Sequence, residues 1–292
     1  MRDFNVIDVT AYKGSDCFLI LTEKSAVLVD SGQDYCAVQT SENISNILKG
    51  RQLDLILLTH SHYDHASGSA CLKKAFPSAF VVASQTASEI LAKEKVHSVM
   101  RELNKAVADE AGVGAYPDHL DSLAVDQTIE DGETITLDDL TITAIDASGH
   151  TKCSLCYYFE EEGLLAAAET LGIPVDFPAE ISPCNIISHD QTIASIKRAA
   201  SYKPQRILAS HIGLLPDGSA DEFFNKALEV ENESNNLIID SYKAGKPNDI
   251  ILEEYKKRFY TQNVAKVQPE NAFYINAETL IAKTIAKLYQ DT

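Results

Sequence analysis

Residues 59–65 read Thr59-His60-Ser61-His62-Tyr63-Asp64-His65 and place four strong metal-ligand side chains within six residues. They follow the apolar run Leu53-Asp54-Leu55-Ile56-Leu57-Leu58, which is typical of a buried strand. They precede the small residues Ala66-Ser67-Gly68-Ser69-Ala70, which favour a tight turn into a helix. The whole chain has eight histidines, so three of them within six residues indicate a metal site rather than an exposed polar loop.

The spacing of these side chains has a direct physical consequence. His60 and His62 are two residues apart in an extended segment, so both side chains can point to one side. Asp64 and His65 come after the chain has turned, so they can point at a neighbouring position. One short loop can therefore serve two metal ions. Imidazole suits zinc, iron and similar cations, and an added carboxylate is typical of hydrolytic or oxygen-handling sites.

The pattern His-x-His-x-Asp-His after an apolar strand resembles that of the metallo-β-lactamase superfamily. This resemblance implies further ligands downstream, each at the end of a strand. Three residues meet that condition: His150 follows the apolar run 140–145, Glu169 follows residues 163–168, and His211 follows residues 206–210. The order and the strand-end placement resemble the superfamily over residues 1–215.

The resemblance also implies a division of the ligands between two ions. One ion would be held by His60, His62 and His150, the other by Asp64, His65 and His211, and Glu169 would bridge them. The superfamily usually has Asp where this chain has Glu169, and the longer side chain would alter the metal spacing or the metal preference. The alternative is that Glu169 is not a ligand and that the second site is weak. We favour ligation, because no other carboxylate stands at the end of that strand.

Four further residues are candidates for supporting the ligands or contacting a substrate. Asp30, at the end of the predicted strand 26–29, resembles an early Asp-x-Gly of the superfamily whose carboxylate supports the metal loop. Metal-bound histidines commonly donate their other N–H to such a group; the alternative is an ordinary turn-forming Asp. Tyr116 and His119 lie in the predicted loop 112–120, and Phe177 lies in a Pro-rich loop after Glu169. Ordinary surface positions are the alternative for these three.

The 292 residues can form one α/β domain with an appendage and bury a large core. The resemblance implies a four-layer αββα sandwich over residues 1–215 and a helical extension over residues 216–292. Helices are predicted in that extension at 221–242, 249–260 and 270–289, because apolar residues recur there at helical spacing. The extension resembles that of several branches, including glyoxalase II and the quinolone-signal response protein, where it covers the active site. A packing or dimerising element is the alternative.

Composition excludes some classes of partner. A net charge of −18 and a pI near 4.8 argue against binding to nucleic acid, although bound cations would still admit a small anionic substrate. The N-terminus has no apolar signal core and no run approaches a membrane span, so we predict a cytoplasmic protein without a membrane partner. Six cysteines fit that reducing compartment. Cys153 and Cys156 lie in a strand pattern and would face opposite sides, so they do not predict a redox motif.

Taken with its motifs, the resemblance implies a binuclear metal-dependent hydrolase. Two divalent ions, zinc first with iron or manganese as alternatives, would supply a metal-bound hydroxide that attacks a small ester, thioester or lactone. Asp64 would orient the hydroxide and pass a proton to the leaving group. We expect a small-molecule substrate and leave a homodimer open. The alternatives are a mononuclear-iron oxidoreductase similar to persulfide dioxygenase, and a metal-containing ligand-sensing protein with little catalysis.

Overall fold

This computed structural model describes residues 4–12 and 16–290, which fall into two compact units. The first unit contains residues 1–145 and 157–162, and the second contains residues 146–156 and 163–292. Among the described residues, no helix combines the length and the apolar character needed to cross a membrane.

The first unit is built on a mixed sheet. Its strands, in spatial order, are β1 (Asn5–Asp8), β2 (Phe18–Leu21), β3 (Ala26–Val29), β4 (Leu55–Leu57), β5 (Phe80–Ala83) and β6 (Gln127–Thr128). β1, β2 and β3 pair antiparallel, whereas β3 to β6 pair parallel. Every residue of β3 and of β4 is buried, as expected for parallel strands that are covered on both faces.

Helices connect the parallel strands of this unit. They are α1 (Ala37–Leu48), α2 (Tyr63–Ala66), α3 (Ser69–Ala75), α4 (Gln85–Leu91) and α5 (Glu94–Glu110). The chain then continues through β7 (Thr134–Thr136), β8 (Thr141–Asp146) and β9 (Leu155–Phe159), and β7 pairs antiparallel with β8.

The second unit combines short sheets with long helices. Its strands are β10 (Leu164–Ala167), β11 (Ile173–Asp176), β12 (Glu180–Ser182), β13 (Arg206–Ala209) and β14 (Gly213–Leu214). β10 pairs parallel with β13, and β13 pairs antiparallel with β14. Its helices are α6 (His189–Ser201), α7 (Ala220–Lys243), α8 (Asn248–Phe259) and α9 (Glu270–Gln290).

The three helices predicted for the C-terminal extension are confirmed as α7, α8 and α9, with ends within one residue of the predicted ones. Their apolar faces form a common core that includes Ile238, Ile251, Tyr255, Phe259 and Phe273. Hydrophobic burial of this kind stabilises the helices more than their intrinsic propensity does.

Parallel pairing brings the ends of particular strands together. β3 and β4 are in register with Val29 opposite Leu57, and the N–H of Asp30 donates to the carbonyl of Leu57 at 2.8 Å. In the second unit, Ala167 of β10 lies opposite Ala209 of β13. Residues that follow these paired positions therefore leave each sheet at the same edge.

A close backbone approach fixes the course of the chain after the metal loop, residues 59–65. The N–H of Gly68 donates to the carbonyl of Gly32 at 2.9 Å, and a Cβ at position 68 would lie 2.3 Å from the backbone oxygen of Ser31. Only glycine permits this approach.

We predict that Gly68→Ala lowers the free energy of unfolding by about 1–3 kcal/mol, because the added methyl forces this contact apart. Urea unfolding followed by circular dichroism measures the effect. Gly114→Ala is the matched control, since its Cβ would meet no atom within 4 Å. Equal stability of the two variants would contradict the prediction.

Candidate metal centre

The metal loop, residues 59–65, leaves β4 in an extended conformation and turns into α2 at Tyr63. His62 has φ −68° and ψ 153°, so the segment carrying His60 and His62 is extended, as the spacing predicts. His60 Nε2 lies 3.0 Å from His62 Nδ1. Two nitrogens bound to one tetrahedral zinc ion are about 3.3 Å apart. The two imidazoles are thus arranged to bind one ion with little movement.

Asp30 holds the metal loop from behind through both of its carboxylate oxygens. Oδ1 accepts the backbone N–H of Thr59 at 2.7 Å, and Oδ2 accepts the Thr59 hydroxyl at 2.8 Å. Oδ2 also lies 2.9 Å from Nδ1 of His65, and Asp30 is only 2 % exposed. One buried carboxylate therefore fixes both the backbone and a ligand side chain of the loop.

The same contacts assign the protons of two histidines. The single proton of the Thr59 hydroxyl goes to Asp30, so the hydroxyl oxygen accepts from Nδ1–H of His60 at 3.0 Å. Nδ1 of His65 likewise donates to Asp30. With both Nδ1 atoms protonated, the lone pairs of both neutral rings lie on Nε2. Neutral imidazole with a free lone pair is the form that binds metals.

Asp64 and His65 occupy the first turns of α2. His65 is fully buried, whereas the Asp64 side chain is 20 % exposed and its Oδ2 lies 3.8 Å from Nε2 of His65. A nitrogen and a carboxylate oxygen at this separation suit a second cation, and the Asp64 side chain is partly accessible to solvent.

Asp16 is a further acidic group at this site that the sequence analysis missed. Its Oδ2 lies 3.8 Å from Nδ1 of His65, and the residue is 1 % exposed. No local motif marks it, because it lies just before β2 and reaches His65 only through the pairing of the strands. The signal available in the sequence was an acidic residue directly before the apolar run Cys17-Phe18-Leu19-Ile20.

In the second unit, strand pairing brings Glu169 and His211 together. Each follows by two residues one of the paired alanines of β10 and β13, and Oε1 of Glu169 lies 2.5 Å from Nε2 of His211. Oε2 of Glu169 lies 2.6 Å from Nε2 of His150. The two oxygens of one carboxylate are thus directed at two different histidines, which is the arrangement that a bridging carboxylate requires.

His150 is held by a tight turn after β8. Its Nδ1 donates to the carbonyl of Cys184 at 2.8 Å, which leaves the lone pair on Nε2. Gly149 precedes it with φ +147°, and a Cβ there would lie 2.2 Å from the hydroxyl of Thr192. The backbone therefore requires glycine at position 149, directly before the candidate ligand His150.

The donor groups in both units fit divalent metal ions. The imidazole lone pair of His150 and a carboxylate oxygen of Glu169 repel each other at 2.6 Å unless a proton or a metal cation joins them. Imidazole nitrogen combined with carboxylate oxygen is a donor set that suits zinc, iron and manganese. The His, Asp and Glu side chains that each unit brings together are therefore suitable ligands for divalent metal ions.

Tyr116 and His119 belong to a second feature of the first unit. Nδ1 of His119 lies 2.9 Å from Oδ1 of Asp34, whose pKa is raised by burial despite the hydrogen bonds from His119. The ring of Tyr116 meets that of Tyr35 edge-on at 6.1 Å. Tyr116 and Asp34 also line a cavity of about 520 Å³ beside α5. These contacts give both predicted residues packing roles, and a role toward a substrate stays a prediction.

Phe177 lies in the turn between β11 and β12. The segment that we predicted as a Pro-rich loop is thus an antiparallel hairpin in part, because Ile173 pairs with Ser182 and Asp176 with Glu180. The ring of Phe177 packs against that of Phe223 on α7 at 6.5 Å. A contact of Phe177 with substrate also stays a prediction.

Comparison with known proteins identifies the family. A sequence model of the metallo-beta-lactamase superfamily matches residues 12–211, which include the metal loop, His150, Glu169 and His211. The chain belongs to the metallo-beta-lactamase superfamily. The resemblance stated from the motifs is therefore confirmed.

Curated relatives in the superfamily are distant. A hydroxyacylglutathione hydrolase of Rhizobium etli is 28 % identical over 162 residues, which cover 53 % of this chain and 51 % of that protein. One of Aeromonas hydrophila is 25 % identical over 264 residues, which cover 79 % of this chain and 88 % of that protein. The chain spans about half the length of the first of these relatives.

Solved structures confirm the fold of the superfamily. The metallo-beta-lactamase family protein TTHA1429 from Thermus thermophilus is 16 % identical, and the match covers 99 % of this chain and 93 % of that one with a TM-score of 0.61. The chain has the α/β sandwich fold of the superfamily, with two mixed sheets and the C-terminal helices α7, α8 and α9.

We predict that Asp30→Asn weakens metal binding about 10- to 100-fold, as is typical when a partner of a metal ligand is removed. The amide has a single oxygen, so it cannot accept the Thr59 backbone N–H at one end and also the Thr59 hydroxyl and Nδ1–H of His65 at the other. Competition with a fluorescent chelator measures the affinity. The control is Asp109→Asn, an exposed carboxylate that pairs with Lys105. Unchanged affinity in the Asp30 variant would refute the supporting role.

Proposed function

We propose that this protein is a binuclear metal-dependent hydrolase of a small acyl thioester or ester. In this proposal His60, His62 and His150 would hold one ion, Asp64, His65 and His211 would hold the other, and Glu169 would contribute a carboxylate oxygen to each. The observation that carries this proposal is the Glu169 carboxylate, whose two oxygens lie 2.6 Å from His150 and 2.5 Å from His211. The superfamily membership and the order of the ligand motifs support it further.

Bound divalent ions would lower the pKa of a water molecule toward neutrality and polarise a substrate carbonyl. The chain supplies the geometry for this chemistry. Asp30 fixes the ring of His65 directly and that of His60 through the Thr59 hydroxyl, and the Cys184 carbonyl fixes that of His150. Ligands held in this way need not reorganise when they bind a cation, which favours electrostatic stabilisation of the developing negative charge.

Asp64 is the group best placed to manage a proton. Its side chain is 20 % exposed, in contrast to the fully buried His65 beside it. In our proposal it accepts a proton from the attacking water and releases it to the leaving group or to solvent. This assignment matches the role expected from the motif.

The substrate class follows from the relatives and from leaving-group chemistry. Two relatives bear the name hydroxyacylglutathione hydrolase, at 25–28 % identity. A thiolate is a good leaving group near neutral pH, because the pKa of a thiol is about 8.5. A site with a single partly exposed carboxylate therefore suits a thioester better than a substrate that leaves as an alkoxide. The net charge of −18 also favours a small substrate over nucleic acid.

Metal content tests the proposed pair of ions. We expect two divalent ions per chain when the protein is purified without chelators and measured by elemental analysis. Glu169→Gln should reduce this to one ion or fewer, because an amide nitrogen cannot coordinate in place of the second carboxylate oxygen. The control is Glu278→Gln, an exposed position on α9. A single iron per chain in the wild type, with oxygen consumption, would instead favour the oxidoreductase.

Turnover tests the reaction. In a panel of thioesters, esters and lactones, we expect thioester cleavage, followed by thiol release, and a loss of at least about 100-fold in kcat for Asp64→Asn. Asp109→Asn should retain full activity. If the metal-loaded wild type cleaves no member of the panel, the hydrolase proposal fails and a ligand-sensing role becomes the better explanation.

A further inference from the structure

Glu231, on α7, is a fully buried acid close to the ligand His150 in the second unit. It is 0 % exposed, and its Oε1 accepts the backbone N–H of Cys184 at 2.8 Å. Burial raises the pKa of the Glu231 carboxyl to about 7, while nearby backbone N–H groups and His150 lower it.

The backbone of one residue, Cys184, joins Glu231 to His150. The carbonyl of Cys184 accepts from Nδ1 of His150 at 2.8 Å. The N–H of the same residue donates to Oε1 of Glu231 at 2.8 Å. The carboxylate therefore fixes the backbone from which the carbonyl accepts the His150 proton.

Stability alone does not account for an acid at this position. Within the described residues, Oε2 of Glu231 is buried without a hydrogen-bond partner, and a polar atom in that state costs about 1–3 kcal/mol. The other buried residues of α7 are apolar or small: Ala220, Phe223, Phe224, Ala227, Ser234, Ile238 and Ser241. An acid on this helix face therefore lowers the stability of the fold locally, which indicates a role other than packing.

We propose that Glu231 is a positioning residue of the metal centre. Its carboxylate fixes the backbone at Cys184, whose carbonyl in turn orients the His150 ring and keeps the Nε2 lone pair directed at the metal. This inference rests on the proposed function, because it takes His150 to be a ligand. Carboxylates that support metal-bound histidines through hydrogen bonds raise the basicity of the ligand and fix its orientation.

The alternative is that Glu231 only anchors the segment 184–187. Other bonds already hold that segment, because the N–H groups of Ile186 and Ile187 donate to the carbonyl of Gly149 at 3.3 and 2.8 Å. Loss of the carboxylate should therefore leave the segment attached. The expected change is in how His150 is held rather than in whether the chain folds.

The test compares Glu231→Leu and Glu231→Gln with the wild type and with Glu229→Gln, an exposed position on the same helix. The first readout is zinc affinity by chelator competition. The second is the visible absorption of the Co²⁺-substituted protein, which reports ligand geometry independently of activity. Thermal unfolding of each metal-free variant verifies that it is folded.

We expect Glu231→Leu to weaken zinc binding about 10-fold or more and to change the Co²⁺ spectrum. Glu231→Gln should recover most of both, because its carbonyl oxygen can still accept the backbone N–H of Cys184. Glu229→Gln should match the wild type. If Glu231→Leu does not fold, Glu231→Asp replaces it, since the shorter side chain withdraws the acceptor.

Two results would overturn the inference. One is a folded Leu or Asp variant with wild-type affinity and an unchanged Co²⁺ spectrum. The other is a Gln variant that binds as weakly as the Leu or Asp variant. His150→Ala separates this failure from that of the proposed function. If His150→Ala retains full metal binding, the ligand assignment itself is wrong. If His150→Ala loses metal while the Glu231 variants bind it normally, only the role of Glu231 is refuted.

Discussion

The metal loop depends on one buried carboxylate. Asp30 accepts a backbone N–H, a hydroxyl and an imidazole N–H, and every one of these donors belongs to the segment 59–65. These hydrogen bonds fix the carboxylate, which orients His65 directly and His60 through the Thr59 hydroxyl.

Two residues of the candidate metal centre have strained backbone conformations. Asp30 and His211 have φ of 56° and 63°, in the left-handed region that residues other than glycine seldom adopt. Such conformations cost on the order of 1 kcal/mol each and persist where the surrounding structure imposes them. Both follow parallel strands, where the chain must turn sharply to direct a side chain across the end of the sheet. The strain is thus a consequence of building the centre from strand ends.

Sequence reasoning recovered the elements whose signal is local. The candidate ligands could be proposed because each stands beyond an apolar run, and helices α7 to α9 were predictable from their 3.6-residue periodicity. Asp16 was not, since only strand pairing brings it to His65. Glu231 carried a signal that was overlooked: it continues the stripe Phe223, Ala227, Glu231 at four-residue intervals, so an acid occupied a position expected to be buried. The β11–β12 hairpin was not predicted, because its prolines are typical of a loop.

The placement of ligands just beyond paired strand positions has an evolutionary consequence. Glu169 and His211 are fixed by the register of Ala167 and Ala209, whereas the turn at residues 177–179, between β11 and β12, takes no part in that register. Insertions, deletions and substitutions in that turn can accumulate without moving either residue. The chemistry of such a centre and the choice of molecule it acts on can therefore diverge at different rates, and two members with the same ligands need not share a substrate.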